Sequence, residues 1–239
     1  ALYPAHAKQA MHAFWGVGQM SFVKHAVFVG DDAPNLSDYD ALTEYILNRF
    51  GDKSLLISEG VCDQLDHASP NSCFGGKLGI DATQDFSTPA PVLLDDAALL
   101  AKFKEVEPNL TQLVQFKTNT KTPICVVKFD KNRLVKEVFD ELLKFKEHFK
   151  LLVFVGPENR LENPYMLLWR VTNNIDAMRD IYADGEHFCV DATSKDELEG
   201  YTRGWPMQTD CDREVVATLV KRGVVKDEPE LFSKFEIFG

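Results

Sequence analysis

The segment Phe74-Gly75-Gly76-Lys77 holds the residues of this sequence that are best suited to meet a charged ligand. Two successive glycines let a backbone come close to another group, because neither carries a side chain. The lysine that follows can offer an ammonium group to an anion such as a phosphate, beside the backbone amides of the glycines. The alternative interpretation of Gly75, Gly76 and Lys77 is a surface turn with a solvated lysine.

An Asp-Ala-Thr sequence follows this segment at residues 81–83 and occurs again at residues 191–193. An aspartate that ends a strand before a turn commonly accepts backbone hydrogen bonds. The second copy has no Gly-Gly-Lys before it. The recurrence therefore favours a structural role for Asp81 and Asp191, and it leaves the glycines and the lysine to the first copy alone.

Other polar residues have structural interpretations that outweigh the functional ones. His6 and His12 are six residues apart on a predicted helix, which is a poor spacing for two ligands of one metal. Asp66 and His67 lie in a long loop where such a pair could support acid/base chemistry, but capping of the loop by Asp66 is preferred. No metal ligands are predicted. The acidic pairs at 31–32 and 95–96 are expected to be solvated or to cap helices.

The composition excludes several classes of function. The formal net charge of -11 argues against non-specific binding to nucleic acid or to an anionic membrane surface. No apolar run approaches the length of about 20 residues that a transmembrane helix needs. The five cysteines include no Cys-x-x-Cys pair, so we expect reduced thiols and a cytoplasmic protein.

Hydrophobic patterning predicts an α/β fold, with a mixed or mostly parallel sheet covered by helices. The sequence Val27-Phe28-Val29-Gly30 matches Val153-Phe154-Val155-Gly156, and further matches follow in the same order up to the two Asp-Ala-Thr sequences. This order indicates two related units from an internal duplication. We expect the first unit at residues 1–90, a connector at 91–120, and a second, degenerate unit with a C-terminal helix and tail at 121–239. Residues 59–79 are predicted to form a loop.

The second unit has a predicted strand at residues 124–127 before its first helix, whereas the first unit opens on a helix. The duplication therefore predicts a corresponding strand upstream of Ala1, in a longer parent chain. The apolar tail, which includes Phe235 and Phe238, is expected to dock on its own domain or on another subunit.

Several segments together resemble the carboxyl-terminal domain of UbiD-type decarboxylases. They are Tyr3-Pro4-Ala5-His6-Ala7-Lys8-Gln9-Ala10, Asp31-Asp32, Leu65-Asp66-His67-Ala68-Ser69-Pro70, Gly76-Lys77-Leu78-Gly79-Ile80-Asp81-Ala82-Thr83 and Glu199-Gly200-Tyr201-Thr202-Arg203-Gly204-Trp205-Pro206. Ala5 departs from the family pattern, which has glycine at that place. The longer members associated with menaquinone biosynthesis look most similar.

The resemblance implies a parent enzyme that decarboxylates an aromatic acid in ubiquinone or menaquinone biosynthesis. Such enzymes use prenylated FMN with a divalent metal and potassium. The family's catalytic residues lie upstream of the matched segments, so no catalytic residue is assigned here, and no cofactor is expected to bind this chain alone. Lys77, with Gly76 and Gly75, resembles a position near the flavin phosphate. The expected partners are the upstream domain and further copies of the chain, and the alternative is a free-standing α/β oligomerisation or binding module without enzyme activity.

Overall fold

In the computed structural model, which describes residues 1–207 and 209–237, the chain folds into two α/β units. The first unit contains three strands and two α-helices. In chain order these are α1 (His6–Trp15), β1 (His25–Val29), α2 (Tyr39–Leu47), β2 (Leu55–Val61) and β3 (Phe74–Ala82). Short 3-10 helices at Gly18–Phe22 and Asp52–Ser54 lie before β1 and β2.

The second unit is built on a five-stranded sheet. Its elements are α3 (Asp96–Lys104), β4 (Leu110–Phe116), β5 (Ile124–Phe129), α4 (Val135–Leu142), β6 (Leu151–Val155), α5 (Pro164–Asn174), α6 (Ala177–Asp180), β7 (Ile181–Asp184) and β8 (His187–Asp191). A 3-10 helix at Leu143–His148 continues α4, and another lies at Glu197–Glu199. Two helices complete the described part of the chain, α7 (Arg213–Lys221) and α8 (Pro229–Lys234).

The two sheets share one topology. The first has the order β1-β3-β2, and the second ends in the order β6-β8-β7, with one parallel and one antiparallel pair in each case. Phe28 pairs with Asp81 in the first sheet, and Phe154 pairs with Asp191 in the second. The sequence alignment thus brings equivalent residues to equivalent positions in the sheet. The predicted α/β fold with two mixed-sheet units is confirmed.

The alternation of side chains along β5 explains how helices cover both faces of the second sheet. Cys125, Val127 and Phe129 point to one apolar cluster, which α3 and α4 complete. Val126 points to the opposite cluster, to which α5 contributes Leu167. Both clusters of buried apolar residues found in the described part of the chain draw on residues 94–192.

Two expectations about the chain organisation are corrected. Residues 59–79 are not a single loop, because β2 extends to Val61 and pairs along its whole length with β3, which begins at Phe74. The predicted connector at 91–120 contains α3 and β4, and β4 pairs with β5. Asp95 caps α3 by accepting from the amide of Ala98. These residues therefore form the edge of the second sheet.

The C-terminal tail folds back on its own chain as far as it is described. The ring of Phe235 contacts that of Tyr165 edge to face, with centroids 5.0 Å apart. Arg170 forms an ion pair of 2.6 Å with Glu236, and both side chains are nearly buried. The expected docking of the tail includes Phe238, which lies outside the described residues.

Candidate functional site

Lys77 is a buried residue of the central strand β3, with only 1% of its surface exposed. Its ammonium group donates to three backbone carbonyls, those of Ser21 at 2.7 Å, Val23 at 3.1 Å and Val61. Burial lowers the pKa of Lys77, and the neighbouring Cys62 opposes that shift. The lysine therefore joins the 3-10 helix before β1 to the end of β2, and all three of its hydrogens are used.

Gly75 and Gly76 lie where β3 passes the start of α6, in the second unit. The amide of Gly76 donates to Oδ2 of Asp176 at 2.8 Å. A Cβ atom on Gly76 would lie 2.6 Å from the backbone nitrogens of both Ala177 and Met178. Because Gly75 and Gly76 have no side chains, the two units can come into close contact here. The sequence pattern does not reveal this contact.

As folded, the Gly75–Lys77 segment does not fit a phosphate, because the amide of Gly76 and the ammonium of Lys77 have no hydrogen left to donate. A flavin phosphate could meet them only if one of these bonds opened. The contact of Gly75, Gly76 and Lys77 with a cofactor stays a prediction, and we derive no chemical step through it.

Behind Asp176 lies a buried network of charges. The Asp176 amide donates to Asp180, whose carboxylate also accepts from Arg179 at 2.7 Å. The fully buried Lys195 ammonium lies 2.9 Å from Asp191 Oδ1 and 3.7 Å from Asp180 Oδ1. Burial raises the pKa of Asp180, while Lys195 and Arg179 act in the opposite direction. The network fixes the start of α6 and, through Asp176, the position of Gly76.

The two aspartates of the Asp-Ala-Thr repeats make the same turn. Oδ1 of Asp81 accepts from the amide and the hydroxyl of Thr83 at 2.9 and 2.7 Å, and Oδ1 of Asp191 accepts from Thr193 at 3.0 and 2.6 Å. The structural role that the sequence favours for both aspartates is confirmed by these bonds. Asp191 differs in that it also pairs with Lys195.

The loop between β2 and β3 is held by a segment of the second unit. Arg203 donates to the carbonyls of Asp66 at 3.0 Å and Ser69 at 2.8 Å, and the hydroxyl of Tyr201 donates to the carbonyl of His67. Two segments that carry the family resemblance, at residues 65–70 and 199–206, therefore meet in space. Sequence reasoning treats them as separate motifs, since 134 residues separate Tyr201 from His67.

Asp66 also stabilises its own loop. Its carboxylate accepts from Lys24 at 2.8 Å, from the amide of Ala68 and from Ser69. The Nε2 atom of His67 lies 3.1 Å from Oδ1 of Asn174. The carboxylate of Asp66 is thus engaged in capping and an ion pair, as the preferred interpretation of the sequence expects.

The remaining candidates are spread over the surface. Asp32 accepts from Tyr45 and Arg49, each at 2.6 Å. His6 accepts from the amide of Leu2 at its own helix start. Among residues 1–207 and 209–237, no group of three His, Cys, Asp or Glu side chains is arranged to hold a metal ion. No described helix combines the length and the apolar character needed to cross a membrane.

Comparison with known proteins identifies the first unit. Residues 2–82 match the sequence model of the family described as the 3-octaprenyl-4-hydroxybenzoate carboxy-lyase C-terminal domain, UbiD_C. The chain carries a UbiD C-terminal domain. The match ends at the end of β3, so the UbiD C-terminal domain contains Gly75, Gly76, Lys77 and the first of the two Asp-Ala-Thr aspartates, and the second unit lies beyond it.

A protein of Helicobacter pylori strain 26695 is 52% identical to the chain over 237 residues, covering 98% of this chain and 38% of that protein. The chain thus spans about two fifths of the length of this curated relative.

Two solved structures resemble the chain with lower similarity. An evolved dimeric form of the UbiD-class enzyme HmfF of Pelotomaculum thermopropionicum, in complex with prFMN, gives a TM-score of 0.41 at 17% identity, covering 51% of this chain and 27% of that one. The closed form of vanillic acid decarboxylase of Sedimentibacter hydroxybenzoicus gives a TM-score of 0.42 at 17% identity, covering 54% and 32%. The family assignment rests on the sequence match of residues 2–82.

Proposed function

We propose that this chain is the C-terminal region of a UbiD-type carboxy-lyase, and that the parent decarboxylates an aromatic acid in ubiquinone or menaquinone biosynthesis. The observation that carries the proposal is the match of residues 2–82 to the carboxy-lyase C-terminal domain. The Helicobacter relative extends well beyond the region that this chain covers, which leaves room for a catalytic domain elsewhere in the parent.

Prenylated FMN, a divalent metal and potassium belong, in this proposal, to the part of the parent that the chain does not include. When bound, the flavin would serve as the electron sink for loss of carbon dioxide. The chain's own contribution is mechanical. The amide of Gly76 and the ammonium of Lys77 bond to other groups of the chain rather than to a ligand, so the domain would supply one rigid wall of the cofactor pocket.

The open edge of β1 is the proposed attachment to the rest of the parent. Its counterpart β6 is paired on both sides, by β5 and β8, whereas β1 lies at the end of its sheet and leaves Val27 47% exposed. The unpaired side of an edge strand presents free backbone donors and acceptors. The repeat therefore favours a strand from the parent chain that pairs in parallel with β1, as β5 pairs with β6.

The experiment compares this chain with its full-length parent, each incubated with prenylated FMN, Mn²⁺ and K⁺ and a panel of aromatic acids. We expect carbon dioxide release and flavin retention on gel filtration for the parent and neither for the chain alone. Turnover by the chain alone would contradict a catalytic domain elsewhere. A parent that folds and retains flavin but releases no carbon dioxide would overturn the carboxy-lyase assignment.

A second candidate function is that of an assembly module. None of the residues of α7 is buried, although its sequence is amphipathic, and Val215 is 56% exposed. Apolar residues exposed on one side of a helix are a common feature of subunit contacts. If the chain assembles through α7, Val215→Lys should lower the mass measured by light scattering. An unchanged mass would count against assembly through this helix.

A further inference from the structure

A pocket of about 460 Å³ opens beyond the carboxyl ends of β6 and β8, where the first unit meets the second. Its walls come from the β2–β3 loop, from α5, and from the segments after β6 and β8. The residues that matter here are His67, Glu158, Trp169, Arg170, Asn174 and Trp205. This volume lies within the range of small-molecule sites, about 300–1,000 Å³.

The pocket has aromatic walls, one of which is held in place by its neighbours. The ring of Trp205 meets those of His67 and Tyr201 edge to face, with centroids 4.8 and 5.3 Å apart. Trp169 is 50% exposed at the same pocket. Two indole rings favour a flat ring as the ligand, because stacking buries much apolar area at little entropic cost.

Arg170 lines the pocket and, in the described part of the chain, carries a hydrogen-bond donor without a partner. The residue is only 7% exposed, and its Nη2 atom donates to Glu236 at 2.6 Å. Its Nε–H has no hydrogen-bond partner within the described residues. A buried donor without a partner costs free energy, and an acceptor oxygen on a ligand would recover it.

The charges of the pocket disfavour an anionic ligand. Arg170 is already neutralised by Glu236, and Glu158 adds a second carboxylate, one oxygen of which accepts from Asn159. Glu158 is exposed and can accept a further N–H. The site therefore suits a neutral ring that offers a carbonyl oxygen to Arg170 and an N–H to Glu158.

The first unit closes the equivalent position with its own side chains. In the repeat, Tyr45 and Arg49 correspond to Arg170 and Asn174. Asp32 accepts from both Tyr45 and Arg49, and the Arg49 guanidinium lies 3.6 Å from the centre of the Tyr45 ring. The second unit replaces this closed cluster with open space and an unpaired donor.

We infer that this pocket binds a neutral planar heteroaromatic lactam, of the kind found in guanine and hypoxanthine, stacked against the tryptophans. The carbonyl of the lactam accepts from Nε of Arg170, and its ring N–H donates to the carboxylate of Glu158. The inference does not depend on the proposed carboxy-lyase activity.

Guanosine and inosine are the probes, titrated into the chain with tryptophan fluorescence and calorimetry as readouts. Adenosine, which lacks the lactam, and benzoate, which is an anionic ring, are the comparison ligands. We expect saturable binding of both lactam nucleosides and at least about tenfold weaker binding of adenosine and benzoate. Equal binding of adenosine or benzoate, or no saturable binding of any nucleoside, would overturn the inference.

Two exposed residues allow variants that keep the fold. Glu158→Ala and Trp169→Ala should each weaken guanosine binding by about tenfold or more, since each removes one of the proposed contacts. Glu162→Ala removes a nearby exposed carboxylate outside the pocket lining and should leave the affinity unchanged. Near-ultraviolet circular dichroism checks the fold of each variant. Unchanged affinity in Glu158→Ala would rule out the lactam contact.

Discussion

The backbone amide of Gly76 donates a 2.8 Å hydrogen bond to the carboxylate of Asp176, a residue one hundred positions further along the chain. This bond gives the double glycine its physical reason. The glycines let β3 lie against the start of α6, and the carboxylate is in turn positioned by the buried charges behind it. The segment that looks most like a ligand cradle in the sequence is the joint between the two units.

Gly76→Ala is expected to destabilise the protein strongly. The new Cβ would lie 2.6 Å from two backbone nitrogens, which cannot move aside as a flexible side chain could. Overpacking of this kind typically costs about 1–3 kcal/mol, and we expect the upper end of that range. Urea denaturation measures the loss. Gly204→Ala is the control, because a Cβ there would have nothing within 4 Å, and an equal loss in both variants would contradict the argument.

Lys77→Met should also lower the free energy of unfolding, by about 3 kcal/mol, because three backbone carbonyls lose their charged donor. Lys104→Met, at an exposed helix position, should change it by less than about 0.5 kcal/mol. Guanidinium denaturation followed by circular dichroism compares the two. If the Lys77→Met variant is as stable as the unsubstituted chain, the fold does not need the lysine.

The two repeats provide a matched pair of aspartates. Asp81→Asn retains an oxygen for the turn to Thr83 and should cost about 1 kcal/mol. Asp191→Asn also removes the closest negative partner of the fully buried Lys195, and breaking such a pair costs about 3–5 kcal/mol. The melting temperature of Asp191→Asn should therefore be well below that of Asp81→Asn. Equal melting temperatures would show that the Lys195 pair adds nothing.

Stability should fall in mild acid through His25. Burial, aided by the charge of Lys24, lowers the pKa of His25 to about 4 from its usual value of 6.5. Between pH 6.5 and about pH 4, His25 is therefore protonated in the unfolded chain but neutral in the folded protein. The stability that depends on neutral His25 is complete above pH 6.5 and is lost as the pH falls toward 4. We expect a loss of about 2 kcal/mol between pH 7.5 and 4.5 from this residue.

His25→Gln tests the assignment, since an amide can still donate to the carbonyl of Thr172, which His25 Nε2 contacts at 3.0 Å. In this variant, the difference between the urea midpoints at pH 7.5 and pH 4.5 should be smaller, because the loss of stability caused by protonation of His25 is removed. An unchanged pH dependence would assign the acid loss to other groups.

Local sequence pattern was sufficient for the elements with their own apolar periodicity. The strand predicted at residues 124–127 lies within β5, and the helix predicted at the start of the first unit is α1. The repeat correctly aligned Asp81 with Asp191. The part of β3 before residue 80 was predicted as loop because Gly75, Gly76 and Gly79 give no β-signal, and its conformation depends on pairing with β2 and β1.

The candidate site was predicted less completely than the fold. The importance of Gly75, Gly76 and Lys77 was visible in the sequence, but their partners were not. Asp176 and the carbonyls of Ser21 and Val61 are brought to them only by tertiary structure. The sequence does not show whether a lysine is buried or solvated, because burial depends on the tertiary packing around it. The pocket near Arg170 had no sequence signal beyond the mismatch between the repeats.

The location of both apolar clusters within residues 94–192 sets an order of events during synthesis. The ribosome completes the first unit before the sheet that supports it exists, and domains otherwise tend to fold in the order in which they are made. The hydrogen bond between Gly76 and Asp176 can therefore form only after about one hundred further residues have emerged. Until that point, the close contact between β3 and α6 is absent from the newborn chain.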